Sequence, residues 1–170
     1  MSKNNNHPRF CQFCGSQDIK SDIEESGFKC NRCNRTVYLN SKPSACAAII
    51  RDNHVLLVRA VGTQKWDLPG GFLLYGESPE DGIKRELMEE LQVKVEVERL
   101  LIAIVDVYGT YNEYSLNLFY KVSLISDEIK PGAEIEEIKW FDINRLPHIK
   151  YKSTSKLLTN LSIYTQEKGE

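Results

Sequence analysis

The chain of 170 residues lacks an apolar run long enough to cross a membrane. Its longest apolar stretches, residues 45–50 and 100–105, fall far short of the roughly 18 residues that a spanning helix needs. Residues 1–7 are polar and lack the apolar core of a secretion signal. These absences exclude the membrane as an expected partner and lead us to expect a cytoplasmic protein.

An excess of either charge is also lacking. The sequence holds 22 Lys and Arg residues against 24 Asp and Glu residues, for a formal charge of -2 and a pI near 6.0. Residues 1–40 carry six cations and four acids, and the remainder carries 16 cations and 20 acids. A whole-molecule electrostatic hold on nucleic acid is therefore disfavoured. The ordinary composition, 41% hydrophobic, predicts one sizeable core with a small appendage.

Cysteine is scarce, yet four of the five cysteines form a C-x2-C-x15-C-x2-C pattern, the spacing of a structural zinc site. The ligands would be Cys11, Cys14, Cys30 and Cys33. Four thiolates close the coordination sphere of Zn²⁺ and leave no open position for catalysis. Two disulfides or a redox pair are alternatives, although cytosolic chains rarely keep disulfides. The segment between the pairs, with a turn at residues 24–27, predicts a short hairpin and resembles a zinc ribbon.

The remaining cysteine, Cys46, lies in an apolar run and is expected to be a buried small hydrophobe. Residues 45–51 and 54–60, joined by Asp52 and Asn53, are typical of a hairpin. The segment 66–72 follows, where Pro and paired Gly interrupt a strand and allow close approach of a ligand to the backbone.

A helix is predicted from Pro79 to Leu91, because Ser78 suits the N-cap and Pro79 the first helical position. Three apolar residues fall at spacing four on its core face: Ile83, Leu87 and Leu91. Glu86, Glu89 and Glu90 lie beside that stripe. Their mutual repulsion calls for a hard divalent cation, and oxygen ligands select magnesium, manganese or calcium over zinc. A solvated acidic helix face is the alternative.

The register of the whole segment resembles the Nudix box, G-x5-E-x7-R-E-U-x-E-E-x-G-U, where U is a bulky aliphatic residue. The matching residues are Gly71, Glu77, Arg85, Glu86, Leu87, Glu89, Glu90 and Val93. Gln92 departs from the pattern, which has glycine there. A glycine ends the helix in a left-handed conformation, so Gln92 should cost about 1 kcal/mol or force a different helix exit. Residues 66–71, 136–141 and 146–147 extend the likeness.

The resemblance implies an α/β (α+β) fold, an α/β/α sandwich around a mixed sheet, over residues 42–170, with the zinc ribbon over residues 1–41. It also implies hydrolysis of a nucleoside diphosphate linked to another moiety. Glu86, Glu89, Glu90 and the carbonyl of Gly70 would hold Mg²⁺ or Mn²⁺, and one glutamate could double as the activator of water. Arg85 would orient a glutamate, and Glu77 would brace the loop and the helix.

Further site residues are less determined by the pattern. Glu134, in the loop of residues 130–136, is the candidate general base outside the helix, and a solvated loop glutamate is the alternative. Arg51 and Arg59 could reach a phosphate, although surface arginines are more common. The tyrosines at 108, 111 and 114 could stack on a nucleobase, against a role in the core or in a dimer contact.

A zinc ribbon ahead of this box resembles the NADH pyrophosphatases, but their S-Q-P-W-P-F-P segment is missing. ADP-ribose and nucleotide sugars are therefore comparable candidates. Two alternatives remain: a ligand-sensing or binding module without catalysis, and a pyrophosphatase that removes oxidised nucleoside triphosphates. The family resemblance also leads us to expect a homodimer.

Overall fold

The computed structural model describes residues 8–22, 27–109 and 113–165. The chain divides into two compact units, residues 1–40 and residues 41–170. Within the described residues, no helix is both long and apolar enough to cross a membrane.

The first unit is a small antiparallel sheet in the order β1-β2-β3. Its strands are β1 (Ile19–Asp22), β2 (Gly27–Cys30) and β3 (Thr36–Tyr38). The expected hairpin is present as β1 and β2, while most of its expected turn, residues 23–26, lies outside the described residues. Phe28 is buried, but units of about 40 residues usually need a metal or disulfides to be stable alone.

The described residues of the second unit form two sheets. One is mixed, in the order β7-β4-β9-β8, with β4 (Lys42–Ala48) parallel to β9 (Glu113–Leu124). β7 (Gly70–Phe72) and β8 (Val95–Tyr108) flank this pair in antiparallel register. The other sheet has the order β10-β6-β5, built from β5 (Ile50–Arg51), β6 (His54–Ala60) and β10 (Ile135–Asp142).

The hairpin expected over residues 45–60 is only partly correct. Asp52 and Asn53 form its turn with φ of 47° and 62°. Only the two residues of β5 pair with β6, however, because residues 42–48 belong to the mixed sheet. Ala45, Ala47 and Ala48 are fully buried, and a strand with both faces covered suits the interior of a sheet that contains parallel pairing.

Helix α1 (Pro79–Leu91) has the predicted bounds, and the Ser78 hydroxyl accepts a hydrogen bond from the N–H of Asp81 at 3.2 Å. The helical spacing of Leu157, Leu158, Leu161 and Tyr164 predicts a single terminal helix over residues 152–166, but that helix is not continuous. It divides into α2 (Lys152–Thr159) and α3 (Leu161–Thr165) at Asn160, whose side-chain amide donates to the carbonyl of Lys156. Asparagine side chains often form such hydrogen bonds with the backbone, which compete with the helical hydrogen bonds and make asparagine unfavourable inside helices.

The core lies on both sides of β6. Leu56 and Val58 pack with the buried face of α1, whereas Val55 and Leu57 pack with Leu157 and its neighbours on α2. Ile83, Leu87 and Leu91 of α1 are fully buried, as the spacing predicted. Helices therefore cover opposite sides of the strands, and the expected α/β/α sandwich with a mixed sheet is confirmed.

Candidate active site and zinc centre

The four paired cysteines of the first unit come together. Their sulfurs all lie within 4.8 Å of one another, and those of Cys11 and Cys33 are 3.6 Å apart, as are those of Cys14 and Cys30. Zinc–sulfur bonds of about 2.3 Å in a tetrahedron place the sulfurs at a similar spacing. The donor set therefore fits Zn²⁺.

Turn geometry at each cysteine pair supports this arrangement. Gly15 and Asn34 follow the two pairs with φ of 69° and 57°, a left-handed backbone that glycine and asparagine adopt more readily than other residues. The N–H of Gly15 donates to the carbonyl of Cys11, and the N–H of Asn34 donates to that of Cys30. Each tight turn thus presents two sulfurs on one side.

In the second unit, strand β7 contains two glycines, and any larger residue at either position would displace neighbouring atoms. Gly70 has φ of 134°, and a Cβ there would overlap the carbonyl of Ala45 on β4. A Cβ at Gly71 would overlap the carboxylate of Glu86 on α1. The missing side chain of Gly71 is therefore what lets this carboxylate lie against the strand.

Arg85 holds the glutamates of the site together. Its Nε and Nη2 donate to the two carboxylate oxygens of Glu77 at 2.8 and 2.9 Å. Its Nη1 donates to Glu86 at 2.8 Å and to Glu89 at 3.4 Å, and Nη2 also reaches the carbonyl of Phe72 at 3.1 Å. The guanidinium lowers the pKa of Glu77 to about 2. Glu77 and Arg85 thus form the brace between loop and helix.

The three helix glutamates differ in exposure. The side chain of Glu86 is 16% exposed and that of Glu89 is 60% exposed. Glu90 lies deeper, where its Oε2 accepts a hydrogen bond from the N–H of Gly70 at 2.9 Å. Burial, reinforced by the charge of Glu86, raises the pKa of Glu90 to about 8. A carboxylate in that position needs a proton or a cation as compensation.

These carboxylates are gathered without forming a closed cage. Among the described residues, only the cysteine cluster brings three or more candidate ligand atoms within 4.8 Å of one another. Glu86 accepts a hydrogen bond from Arg85, and Glu90 accepts one from the N–H of Gly70. An oxygen-only donor set that is partly open fits Mg²⁺ or Mn²⁺, which keep several water ligands.

Glu134 is exposed and lies in a loop that contacts the end of α1. The N–H of Gly132 donates to the carbonyl of Glu90 at 2.8 Å, and the carbonyl of Glu134 accepts from the N–H of Val61 at 3.0 Å. The Glu134 charge contributes to the raised pKa of Glu90. The structure therefore brings Glu134 near the metal-ligand candidates, although it belongs to a different element.

A cleft of about 240 Å³ opens beside this site, and Gly70, Gly71 and Glu90 form part of its wall. The rings of Phe72 and Tyr108, also in its lining, lie 5.0 Å apart. Polar groups line the cleft as well, including Ser44, Ser115 and Asn117, which hydrogen-bond to one another. The cleft thus combines aromatic surface, polar side chains and the carboxylate of Glu90.

The two arginines considered from the sequence are held in ion pairs. Arg51 pairs with Asp127, and Arg59 pairs with Glu136 and Glu137. Tyr111 lies outside the described residues, and Tyr114 is exposed on β9. Cys46 lines the cleft, where burial raises the pKa of its thiol well above the ordinary value. It therefore stays protonated at neutral pH.

Sequence reasoning assigned no role to Asp67, although this residue also lines the cleft. Its Oδ1 accepts hydrogen bonds from the Thr154 hydroxyl at 2.7 Å and from the N–H of Leu68 at 2.9 Å. Burial raises its pKa to about 6. Its position directly before Leu68-Pro69-Gly70-Gly71 was the only available signal, since Thr154 is 87 residues away.

Comparison with known proteins gives a consistent result. Residues 41–161 match the family model described as NUDIX domain. The chain is 32% identical over 142 residues to the NAD-capped RNA hydrolase NudC of Pseudomonas syringae, covering 82% of this chain and 49% of that protein. It therefore spans about half the length of this relative.

Two further relatives extend the comparison. An ADP-ribose pyrophosphatase of Methanocaldococcus jannaschii is 28% identical over 122 residues, covering 68% of this chain and 70% of that protein. A crystal structure of a NUDIX hydrolase from Nitrosomonas europaea superposes with a TM-score of 0.67 at 24% identity, covering 91% of this chain and 92% of that one. The structural likeness supports the fold.

Proposed function

The chain belongs to the NUDIX domain family, and we propose that it is a divalent-metal-dependent hydrolase that cleaves the diphosphate of a nucleoside diphosphate linked to another moiety. One observation carries this proposal. The carboxylates of Glu86 and Glu90 meet the glycines of β7 where Glu90 lines a cleft, so metal ligands and a substrate space adjoin.

In the proposed site, Glu86, Glu89, Glu90 and the carbonyl of Gly70 hold Mg²⁺ or Mn²⁺. The bound cation supplies charge neutralisation of the diphosphate, polarisation of phosphorus and a lowered pKa for a water ligand. Arg85 keeps Glu86 oriented through its 2.8 Å hydrogen bond and is itself held by Glu77. Without cations the same carboxylates would repel an anionic substrate.

Glu134 is the proposed general base that takes a proton from the attacking water. Two observations support this role. The charge of Glu134 contributes to the raised pKa of Glu90, and the loop that carries Glu134 is hydrogen-bonded to the helix that carries the proposed metal ligands. Glu86, Glu89 and Glu90 would be occupied by metal, whereas Glu134 lies outside the helix and stays available for proton transfer.

The proposed substrates are dinucleotides of the NAD type, ADP-ribose and nucleotide sugars. The relatives named above act on an NAD cap and on ADP-ribose according to their names. In this chain, the Phe72 and Tyr108 rings offer an apolar surface for a base or ribose, and the Ser44–Asn117 pair offers polar groups. All these substrates share the diphosphate that the metal would contact.

Residues 1–41 are proposed as a structural zinc ribbon and residues 42–170 as the hydrolase domain. Zn²⁺ held by Cys11, Cys14, Cys30 and Cys33 would supply the folding free energy that so small a sheet lacks. Free, closely spaced thiols suit a reducing compartment, so the proposed location is the cytoplasm.

The proposal is tested by incubating the zinc-loaded protein with NAD, ADP-ribose, a nucleotide sugar and a nucleoside triphosphate, each with and without Mg²⁺. Metal-dependent release of a nucleoside monophosphate from the first three supports it. Preferred cleavage of the triphosphate would instead identify a pyrophosphatase of nucleoside triphosphates.

A further inference from the structure

Gln92 occupies the position where the family pattern has glycine, and it adopts the glycine conformation. It ends α1 with φ of 53° and ψ of 35°, and its backbone N–H donates to the carbonyl of Leu87. The N–H of Val93 approaches the same carbonyl at 3.5 Å. The helix exit is therefore the left-handed one that glycine would use, and a glutamine there costs about 1 kcal/mol of backbone strain.

The side chain of Gln92 makes a contact that glycine could not make. Its Nε2 donates to the carbonyl of Pro131 at 3.2 Å. Two backbone hydrogen bonds lie beside it, from the N–H of Lys130 to the carbonyl of Leu91 at 3.0 Å and from the N–H of Gly132 to the carbonyl of Glu90 at 2.8 Å. Three contacts thus fasten residues 130–132 to the last turn of α1.

The fit between this loop and the helix is close. A Cβ at Gly132 would overlap the carbonyl of Glu89, so the loop backbone lies directly against the turn that carries two proposed metal ligands. The carbonyl of Gly132 accepts a hydrogen bond from the N–H of Ile135 at 3.1 Å. This turn restricts the backbone of Glu134, which lies between the two residues. Of the three hydrogen bonds, only the one from Gln92 is made by a side chain.

We infer that Gln92 is a positioning residue that holds the loop of residues 130–134 on the end of α1 and thereby keeps Glu134 beside the helix turn that carries Glu90. The inference rests on the proposed function, in which Glu134 accepts a proton from water. This role explains why a strained glutamine stands where glycine would be more stable. The glutamine lowers the stability of the helix end, but its side chain fixes the loop that carries the proposed general base.

The test separates stability from turnover with the substitution Gln92→Gly. Relief of the left-handed strain should leave the melting temperature unchanged or higher. Loss of the Pro131 contact should lower kcat about three- to tenfold, the effect of one exposed hydrogen bond, with KM within about twofold. Gln92→Glu removes the N–H donor at constant length and should lower kcat similarly. Gln92→Lys retains a donor and should keep most of the turnover.

A double-mutant cycle and hydrogen exchange complete the experiment. In a Glu134→Gln background, Gln92→Gly should cause no further loss, and amide exchange of residues 130–135 should be faster in Gln92→Gly than in wild type. Unchanged kcat in Gln92→Gly, or an undiminished loss in the Glu134→Gln background, overturns the positioning role alone. A folded wild-type protein that hydrolyses no diphosphate substrate overturns the proposed function and this inference together.

Discussion

The backbone N–H of Gly70 donates a 2.9 Å hydrogen bond to Oε2 of Glu90, across 20 residues of sequence. This contact joins the glycine strand β7 to the last turn of α1 and draws one carboxylate away from solvent. The raised pKa of Glu90, about 8, follows from that burial and from the neighbouring charge of Glu86. The negative charge of Glu90 is therefore unfavourable at this position unless a proton or a cation compensates it.

We expect Glu90→Gln to separate folding from activity. The folded pKa lies above the ordinary 4.5, so the folded protein binds more protons than the unfolded chain between about pH 4.5 and 8, and stability falls as pH rises through that window. Glutamine carries no charge and escapes this loss. At pH 8 without divalent metal, Glu90→Gln should therefore gain on the order of 1 to 3 kcal/mol, while turnover falls by orders of magnitude.

Thermal unfolding at pH 5 and pH 8, together with turnover in Mg²⁺, checks both parts. Glu96→Gln, an exposed glutamate on β8, is the matched control and should match wild type in each measurement. Wild-type turnover in Glu90→Gln would refute the assignment of this residue to the metal site.

Metal affinity should depend on pH through the same group. Because Glu90 must lose its proton before it binds a cation, the apparent Mn²⁺ affinity should rise with pH between about 6 and 8 and level off above that range, approaching tenfold per unit. Electron paramagnetic resonance of free Mn²⁺ measures this directly. A slope that persists in Glu90→Gln would assign the proton to another residue.

Arg85→Lys should lower kcat about 10- to 100-fold. A lysine cannot donate to both oxygens of Glu77 while also holding Glu86, so the oriented carboxylate is released. Steady-state kinetics against a Lys84→Arg control, which changes an exposed cation of the same helix, isolates the effect. Turnover equal to wild type in Arg85→Lys would show that the brace has no part in catalysis.

Cys30→Ser should release the metal of the first unit. Cys30 is buried and its sulfur lies 3.6 Å from that of Cys14, so its loss opens the four-sulfur cluster. Elemental analysis should find a full equivalent of zinc in wild type and in a Cys46→Ser control, and much less in Cys30→Ser. Proteolysis of residues 8–40 should become faster at the same time. Retention of one zinc by Cys30→Ser contradicts the proposed ligand set.

Local signals in the sequence determined the elements that carry the site. Ser78 and Pro79 marked the start of α1, the spacing of Ile83, Leu87 and Leu91 identified its buried face, and the cysteine spacing foretold the sulfur cluster. Each of these features depends on residues within one turn, one helix or two short knuckles. The pattern around Gly71 included Glu86 and Glu90, and the structure places both carboxylates against β7.

Local sequence signals could not predict the contacts between segments that lie far apart in the sequence. The departure of β4 from the expected hairpin depends on its parallel pairing with β9, about 70 residues later. The Thr154–Asp67 hydrogen bond and the contact of Gln92 with Pro131 join elements whose proximity only the folded chain defines. The break at Asn160 reflects a local preference that the apolar spacing of residues 157–164 concealed.

The central claim is that Glu86, Glu89 and Glu90 hold a divalent cation for cleavage of a diphosphate. The most direct measurement is nucleoside monophosphate release from NAD, ADP-ribose and a nucleotide sugar, by zinc-loaded wild type and by Glu90→Gln, with Mg²⁺ or Mn²⁺ and without either. The account predicts metal-dependent release by wild type and its near absence in the variant. No release by folded, zinc-loaded wild type with either metal would contradict it and favour a ligand-sensing role for the same fold.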